Sequence, residues 1–302
     1  MPGRNTEWVL SCDAFLDGVH FLEKSYPADS VGYKSLVRAA SDLAAMGANP
    51  RLFLLTLALP ARLTGKWLDE FLRGMGRAAR LLGMRLAGGD TTKSAAVSIS
   101  ITVLGEVARG QAVTRSGARP GDILYVSGRL GRAQLGLELA KRGGHGSLAR
   151  MLQTHSGLLR PHLYPKIRIE LGAWLARHEI ASAMMDISDG LSTDLARLCR
   201  ASGVGARLWT EHIPCVKLPA ARTVPLRKLR LDPMRMALHG GEDYELLFTV
   251  PRKKAKHLRS APDFPEIAAI GEIECGKRIT LVDAAGRSKR LDSGAWDPFR
   301  GK

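Results

Sequence analysis

The run Leu52-Phe-Leu-Leu-Thr-Leu-Ala-Leu59, shut by Pro60, constrains this chain more than any other stretch. A near-continuous apolar run of this length, ended by proline, reads as a strand buried on both faces. Such a strand needs neighbours on both sides and cover above and below. The flanking sequence supplies them. Before it, Leu36, Ala40, Leu43 and Met46 keep a helical spacing, with Ser30 as the candidate N-cap and Gly47 as the stop. After it, Trp67, Leu68, Phe71, Leu72, Met75, Ala79 and Leu82 form a second amphipathic stripe that halts at Gly83. Trp8 to Asp13 is a short strand, and Val97 to Leu104 alternates with period two as a half-buried strand. With a further strand end near residue 90, this gives strand–helix–strand–helix–strand–strand, an α+β unit.

A polar, glycine-rich passage from Ala112 to Asp122 marks the expected junction, dividing the chain into 1–117 and 118–302. The second part alternates strands and helices. Strands are expected at Ile123 to Ser127, Ala181 to Asp186, Val204 to Trp209, up to Val250, at Ile267 to Ile273 and at Arg278 to Val282, the last turning at Gly286. Helices are expected at Ala133 to Lys141, from Pro165 to Arg177, from Gly190 to Ala201 and over 252–260. Residues 143–157 are rich in Gly, Ser and His and read as a loop, and 210–235 as irregular and basic. The fold class expected is therefore two-domain: an α+β N-terminal part and an α/β C-terminal part.

At 302 residues, 45% hydrophobic and 25% charged, the chain has the composition of a soluble globular protein with a sizeable core. No uncharged apolar run approaches the roughly 20 residues of a membrane span, and the start lacks the apolar segment of a signal peptide. Cys12, Cys199, Cys215 and Cys275 form no Cys-x-x-Cys pair, which argues against structural zinc and fits a reducing cytoplasm. The formal charge is +16, with basic runs at Arg222 to Arg230 and Arg252 to Arg259. A basic surface attracts polyphosphate or nucleic acid. Aromatics are only 6% and do not interleave the basic runs, so a nucleic-acid groove is disfavoured against a solvated basic face.

The chemistry-bearing residues are acids. Leu86-Ala-Gly-Gly-Asp-Thr-Thr-Lys93 places Asp90 after two glycines and before two hydroxyls. Glycines admit a bulky anion close to the backbone, and a carboxylate holds a hard cation. Gly-Gly-Asp is equally an ordinary turn. Asp42 lies among Ala39, Ala40, Leu43, Ala44 and Ala45, where a carboxylate is costly unless paired, bound to a cation or turned to water. Asp13 ends a strand. Asp186-Ile-Ser-Asp-Gly190 puts two acids at a strand end beside a helix start, which suits a metal–phosphate complex or a double N-cap. Asp13, Asp42, Asp90, Asp186 and Asp189 share one style of placement, which favours a site with several metal ions around a polyphosphate. Standard nucleotide motifs are missing: there is no Gly-x4-Gly-Lys-Ser/Thr loop and no Gly-x-Gly-x-x-Gly after a strand.

Ser41-Asp-Leu-Ala-Ala-Met-Gly-Ala48, Ala87-Gly-Gly-Asp-Thr-Thr92, Thr114-Arg-Ser-Gly-Ala118, Asp186-Ile-Ser-Asp-Gly190 and Gly240-Gly-Glu-Asp-Tyr-Glu-Leu246 occur in this order. Together they resemble the thiamine-monophosphate kinase family, within the superfamily that includes aminoimidazole ribonucleotide synthetase. The resemblance extends from about Trp8 to Phe299. It implies ATP-dependent phosphorylation of thiamine monophosphate to thiamine diphosphate, and a fold whose N-terminal domains pair in a homodimer as a β-barrel. ATP and several Mg²⁺ ions would lie between the domains. By motif match Ser11, Asp13, Asp42, Asp90, Asp186 and Asp189 would bind metal, and Gly89, Asp90, Arg115 and Ser188 would bind ATP. Asp42, Asp90, Arg115 and Asp189 would carry catalysis, while His20, Glu242 and Trp296 would surround thiamine monophosphate. The substrate thiazolium is a cation, which an aromatic face such as Trp296 can hold.

Two departures stand out. The family pattern has a further strand with Gly-Asp-Asp upstream, which supplies another metal-binding aspartate; a chain beginning at Met1 is expected to bind metal more weakly. Cys12 stands where a hydroxyl residue is usual, and a thiol is a poor Mg²⁺ ligand. The competing readings are another ATP-using member of the same superfamily and a non-catalytic, basic nucleic-acid-binding protein. Selenophosphate synthetase would need a reactive Cys or selenocysteine near the start. Hydrogenase-maturation members end in a modified Cys, whereas this chain ends Phe299-Arg-Gly-Lys302.

Overall fold

The computed structural model describes residues 5–142, 147–218, 231–258, 264 and 266–294. The chain forms two compact units. One comprises Met1–Ala112 with Gly136–Arg177, the other Val113–Leu135 with His178–Lys302.

In the first unit the strands are β1 (Thr6–Leu16), β2 (Asn49–Leu59), β3 (Arg85–Lys93) and β4 (Ser98–Ala108). They form an open sheet in the order β1-β4-β2-β3. β4 is antiparallel to both β1 and β2, and β3 joins β2 in parallel. The helices α1 (Ala28–Ala45) and α2 (Lys66–Leu82) come before β2 and β3. They approach backbone to backbone, so that a Cβ on Gly32 would meet the Phe71 carbonyl oxygen at 1.9 Å and one on Gly74 the Asp29 oxygen at 1.8 Å. α2 ends as expected on Gly83, at φ +64°. Phe15, Leu36, Leu43, Phe53, Leu57, Phe71, Ile99 and Ile101 belong to the buried core of this unit.

The reading of Leu52 to Leu59 as buried on both faces is corrected here. Phe53, Leu55, Leu57 and Leu59 are buried, whereas Leu54 is 40% exposed and Thr56 is exposed. Sheet neighbours share a face, and the register sets Leu52 beside Leu104 and Leu104 beside Leu10, which is 61% exposed. A leucine-rich row therefore lies on the face opposite the core. An apolar run does not distinguish burial by the chain's own helices from an apolar face left uncovered. Two helix starts also move. Ser30 does not cap α1; Pro27 occupies that position and the Ser30 hydroxyl donates to its carbonyl at 2.7 Å. Pro165 likewise precedes its helix without opening it, because α6 spans Ile169–Arg177. The expected loop 143–157 is largely helical: α4 is Ser147–Thr154 and α5 is Ser156–Leu163, while 143–146 lie outside the described residues. Leu148, Leu159 and Leu163 are buried, so a few leucines outweigh the turn-forming composition.

The second unit is built on a seven-stranded sheet, β5 (Ile123–Val126), β6 (Ala183–Asp186), β7 (Gly205–Trp209), β8 (Leu246–Val250), β9 (Ala268–Glu274), β10 (Ile279–Val282) and β11 (Ser288–Arg290), in the order β11-β10-β7-β9-β5-β8-β6. All its pairings are antiparallel except β7 with β10. α7 (Leu191–Ser202) follows β6, and α8 (Pro233–His239) precedes β8. α3 (Arg132–Arg142) starts in this unit. The helix expected over 252–260 is a 3-10 turn, Arg252–Lys254, running into the short α9 (Ala255–Leu258). The basic stretch Arg222 to Arg230 lies outside the described residues. Among the described residues no helix is long and apolar enough to cross a membrane.

Candidate functional site

In the first unit β1 and α1 face each other through polar side chains. Alternation along β1 sends Val9 and Phe15 into the core, so Ser11 and Asp13 point to the same side, toward α1. One helical turn separates Arg38 from Asp42, which matches that spacing. The Ser11 hydroxyl donates to Asp42 Oδ2. Arg38 Nε donates to Asp13 Oδ2 at 3.1 Å, and its guanidinium lies 5.3 Å from the Phe15 ring centroid. Asp42 thus spends its place among alanines on a partner from β1, and Asp13 is held by an arginine that sequence reasoning did not single out. The only available signal was its position four residues before Asp42.

His20 belongs to the same corner. Its Nδ1 accepts the Leu16 N–H at 3.1 Å, which leaves the proton of a neutral ring on Nε2. The ring packs 5.5 Å from Phe15, which also stacks on Phe21 at 4.9 Å.

Asp90 is placed differently. It sits on β3 opposite Thr56, an exposed position of β2, so register assigns it to the uncovered side of the sheet rather than the side of Asp13 and Asp42. Its Oδ1 accepts the Thr91 N–H at 2.8 Å. The preceding glycine has a structural cause of its own. Gly89 has φ +153°, and a Cβ there would meet the Leu55 carbonyl oxygen at 1.8 Å. Close approach of two strands requires this glycine whether or not a phosphate comes near.

In the second unit Asp186 ends β6 and is buried, while Asp189 lies two residues before α7 with its side chain 31% exposed. Neither acts as the N-cap that the motif allowed; Gly190 holds that position and no side chain caps the helix. The turn is organised by a residue the sequence did not reveal. Asp194, on α7, is fully buried, and its Oδ2 accepts the N–H groups of Ser188 at 3.0 Å and Asp189 at 2.9 Å. Burial raises its carboxyl to about 6 against the pull of the Asp189 amide and of Arg197. Arg197 Nη1 bridges Asp189 Oδ2 at 2.5 Å and Asp194 Oδ1 at 2.8 Å.

The Gly240–Glu245 segment packs on that turn. Glu242 N–H donates to the Ser188 carbonyl at 2.7 Å, Tyr244 N–H to that of Ile187 at 2.9 Å, and Ile187 N–H to that of Glu245 at 2.8 Å. Glu242 (φ 67°) and Tyr244 (φ 50°) are in the left-handed region, a strained setting for side-chain-bearing residues. Two acids of the motif hold it there. Asp243 accepts from Gly131 N–H at 2.5 Å and Ala133 N–H at 2.9 Å, at the start of α3. Glu245 Oε2 accepts from the Ser127 hydroxyl at 2.5 Å. Both are buried, and Glu242 is the more exposed of the three. Burial drives the Asp243 carboxyl up to about 7. Arg115 is exposed, and its backbone is fixed by Ser202, whose hydroxyl donates to the Arg115 carbonyl at 2.9 Å and accepts from Gly117 and Ala118 at 3.2 Å each. Trp296 lies outside the described residues.

Among the described residues, no three His, Cys, Asp or Glu side chains form a group able to hold a metal ion. The structure gathers Ser11, Asp13 and Asp42 in one unit and Ser188, Asp189 and Glu242 in the other, and sets Asp90 apart on β3. The donors nevertheless suit Mg²⁺. They are hard oxygens, and this ion commonly takes only one or two protein carboxylates, leaving its other positions to water and phosphate. Cys12 points away from Ser11, Asp13 and Asp42: its Sγ lies 3.4 Å from the Thr102 hydroxyl and 3.6 Å from that of Ser100 on the neighbouring strand.

Comparison with known proteins gives consistent matches. Residues 1–107 match the AIR synthase related protein, N-terminal domain, and residues 119–284 the AIR synthase related protein, C-terminal domain. The chain is 34% identical over 291 residues to the thiamine-monophosphate kinase of Aquifex aeolicus (strain VF5), covering 96% of this chain and 88% of the relative. It is 39% identical over 248 residues to the thiamine-monophosphate kinase of Escherichia coli O157:H7, covering 80% and 71%. A solved structure described as AaThiL complexed with AMPPCP and TMP superposes with a TM-score of 0.84 at 32% identity, covering 99% of this chain and 89% of that one.

Proposed function

The chain belongs to the thiamine-monophosphate kinase family of the AIR synthase related proteins, and we infer that it transfers the γ-phosphoryl group of ATP to thiamine monophosphate, forming thiamine diphosphate. The observation that carries this reading is the 34% identity to a thiamine-monophosphate kinase sustained over 96% of the chain. The neighbour holding an ATP analogue together with TMP agrees with it.

The acceptor is a phosphate oxygen, already anionic at neutral pH, so no general base has to remove a proton. The difficulty is bringing two anionic groups into line, which depends on positioning and charge neutralisation. In this reading Asp13, Asp42, Asp90, Asp186 and Asp189, with Ser11, hold Mg²⁺. When bound, the ion neutralises phosphate oxygens. Gly89, Arg115 and Ser188 contact the nucleotide, and Arg115 adds positive charge as the γ-phosphoryl group moves. Asp42, Asp90, Arg115 and Asp189 act on the reacting phosphates; His20, Glu242 and Trp296 hold thiamine monophosphate. His20 fits that role in that its bond to Leu16 N–H puts the proton of a neutral ring on Nε2, the tautomer that can donate to an anionic oxygen. The strained backbone at Glu242 fits a binding residue held in one orientation.

The reading extends to assembly and place. Residues 1–117 would serve nucleotide and metal binding and dimerisation, with 118–302 as the second domain. The four-stranded sheet is open, with β1 and β3 at its edges, and its uncovered face carries Leu10, Leu52, Leu54 and Leu104. A second copy covering this face makes a homodimer, in the cytoplasm where ATP is supplied. The test of the function is direct: incubation with ATP, Mg²⁺ and thiamine monophosphate yields thiamine diphosphate and ADP, and absence of that product overturns the reading.

A further inference from the structure

One nitrogen holds two carboxylates in the second unit. Arg197 Nη1 lies 2.5 Å from Asp189 Oδ2 and 2.8 Å from Asp194 Oδ1. The two acids are not equivalent. Asp194 is fully buried on α7, three residues before Arg197, and its remaining oxygen is occupied by the Ser188 and Asp189 amides. Residues at this helical spacing stay neighbours on the helix whatever happens outside it. Asp189 lies outside α7, and its side chain is 31% exposed, open to a ligand from solvent. Each hydrogen that the guanidinium gives to Asp194 is withheld from Asp189. A cation arriving at Asp189 must displace the share that remains.

We propose that Asp194 is a positioning residue that draws Arg197 off Asp189 and so keeps Asp189 available to a divalent cation, with Arg197 as that cation's built-in competitor. This rests on the metal role of Asp189 given above. As the cation binds, Arg197 moves wholly onto Asp194 and the second carboxylate never becomes a buried charge without a partner. The arrangement sets the affinity of the site without contributing a ligand to it. A merely structural Asp194 would serve only to tie down the Ser188–Asp189 turn, a task that asparagine still performs with its carbonyl oxygen.

The experiment is a double-mutant cycle on the full chain, with Mn²⁺ alone as the probe and its binding followed by electron paramagnetic resonance. Asp194→Asn leaves Arg197 with Asp189 as its only anionic partner among the described residues and is expected to weaken Mn²⁺ binding about fivefold. Arg197→Gln is expected to tighten binding about twofold in the wild-type background and about tenfold in the Asp194→Asn background. Equal factors in the two backgrounds, the result of simple addition of charges, would overturn the proposal. So would weaker binding in Arg197→Gln alone, a readout that stands even if Asp194→Asn fails to fold. Asp189→Asn separates the inference from its premise: it must weaken Mn²⁺ binding in every background. If it does not, the metal role of Asp189 is wrong and the competition falls with it. If it does while the cycle shows no coupling, only the competition is wrong.

Discussion

At Asp243 two opposed effects meet on one carboxyl. Burial raises it, the amides of Gly131 and Ala133 lower it, and the balance leaves it at about 7 instead of 3.8. The folded chain therefore binds more protons at this group than the unfolded chain between those values. Its contribution to stability is full below about pH 4 and is lost as pH rises through about 7. Urea titrations from pH 4 to 8 should show the wild type losing stability more steeply than Asp243→Asn. Asp243→Ala, which removes both acceptors from the start of α3, should cost about 1–2 kcal/mol at neutral pH, measured the same way. Asp243 also shows how far single residues could be read. The Gly-Gly-Glu-Asp-Tyr-Glu motif announced itself by its neighbours, but nothing in it said that Asp243 and Glu245 turn inward while Glu242 is the most exposed of the three. Asp194, Arg197, Arg38 and Ser202 were missed for a related reason. Each works by meeting a segment distant or out of pattern in sequence, and helix-surface acids and arginines are too common to stand out.

At the scale of elements, helices and strands with a clean period were legible: α2 with its Gly83 stop, β4 with its alternation, and the β10–β11 hairpin about Gly286. Elements failed where composition competed with tertiary contact, as in α4 and α5. Start residues failed at Ser30, where Pro27 takes the cap position, and at Pro165, which precedes a helix that begins at Ile169. β3 illustrates a motif with two causes. Its Gly-Gly-Asp reads as a phosphate approach, yet the contact with the Leu55 carbonyl already requires Gly89. Gly89→Ala should therefore destabilise the first unit by about 2–3 kcal/mol, independently of nucleotide, as seen in thermal unfolding without ligands. Unchanged stability with weakened ATP binding would give the glycine to the ligand alone.

For the whole molecule, a leucine-rich sheet face and a strongly basic charge are the properties that a single copy leaves open. Leu10 and Leu54 are 61% and 40% exposed, on the face that none of the described helices of the first unit covers. Patches of this kind commonly mark an interface. Sedimentation equilibrium should give twice the chain mass for the wild type and a single chain mass for the double variant Leu10→Asp, Leu54→Asp, with the fold checked by circular dichroism. The formal charge of +16 is consistent with attraction of ATP to the surface and predicts that the apparent KM for ATP rises with salt. The central claim is phosphoryl transfer to thiamine monophosphate through acids such as Asp90. Its most direct test follows thiamine diphosphate formation from ATP, Mg²⁺ and thiamine monophosphate in the wild type and in Asp90→Asn. The account predicts turnover by the wild type and a loss of about a hundredfold or more in a variant that stays folded; no thiamine diphosphate from the wild type, or equal rates from both, would contradict it.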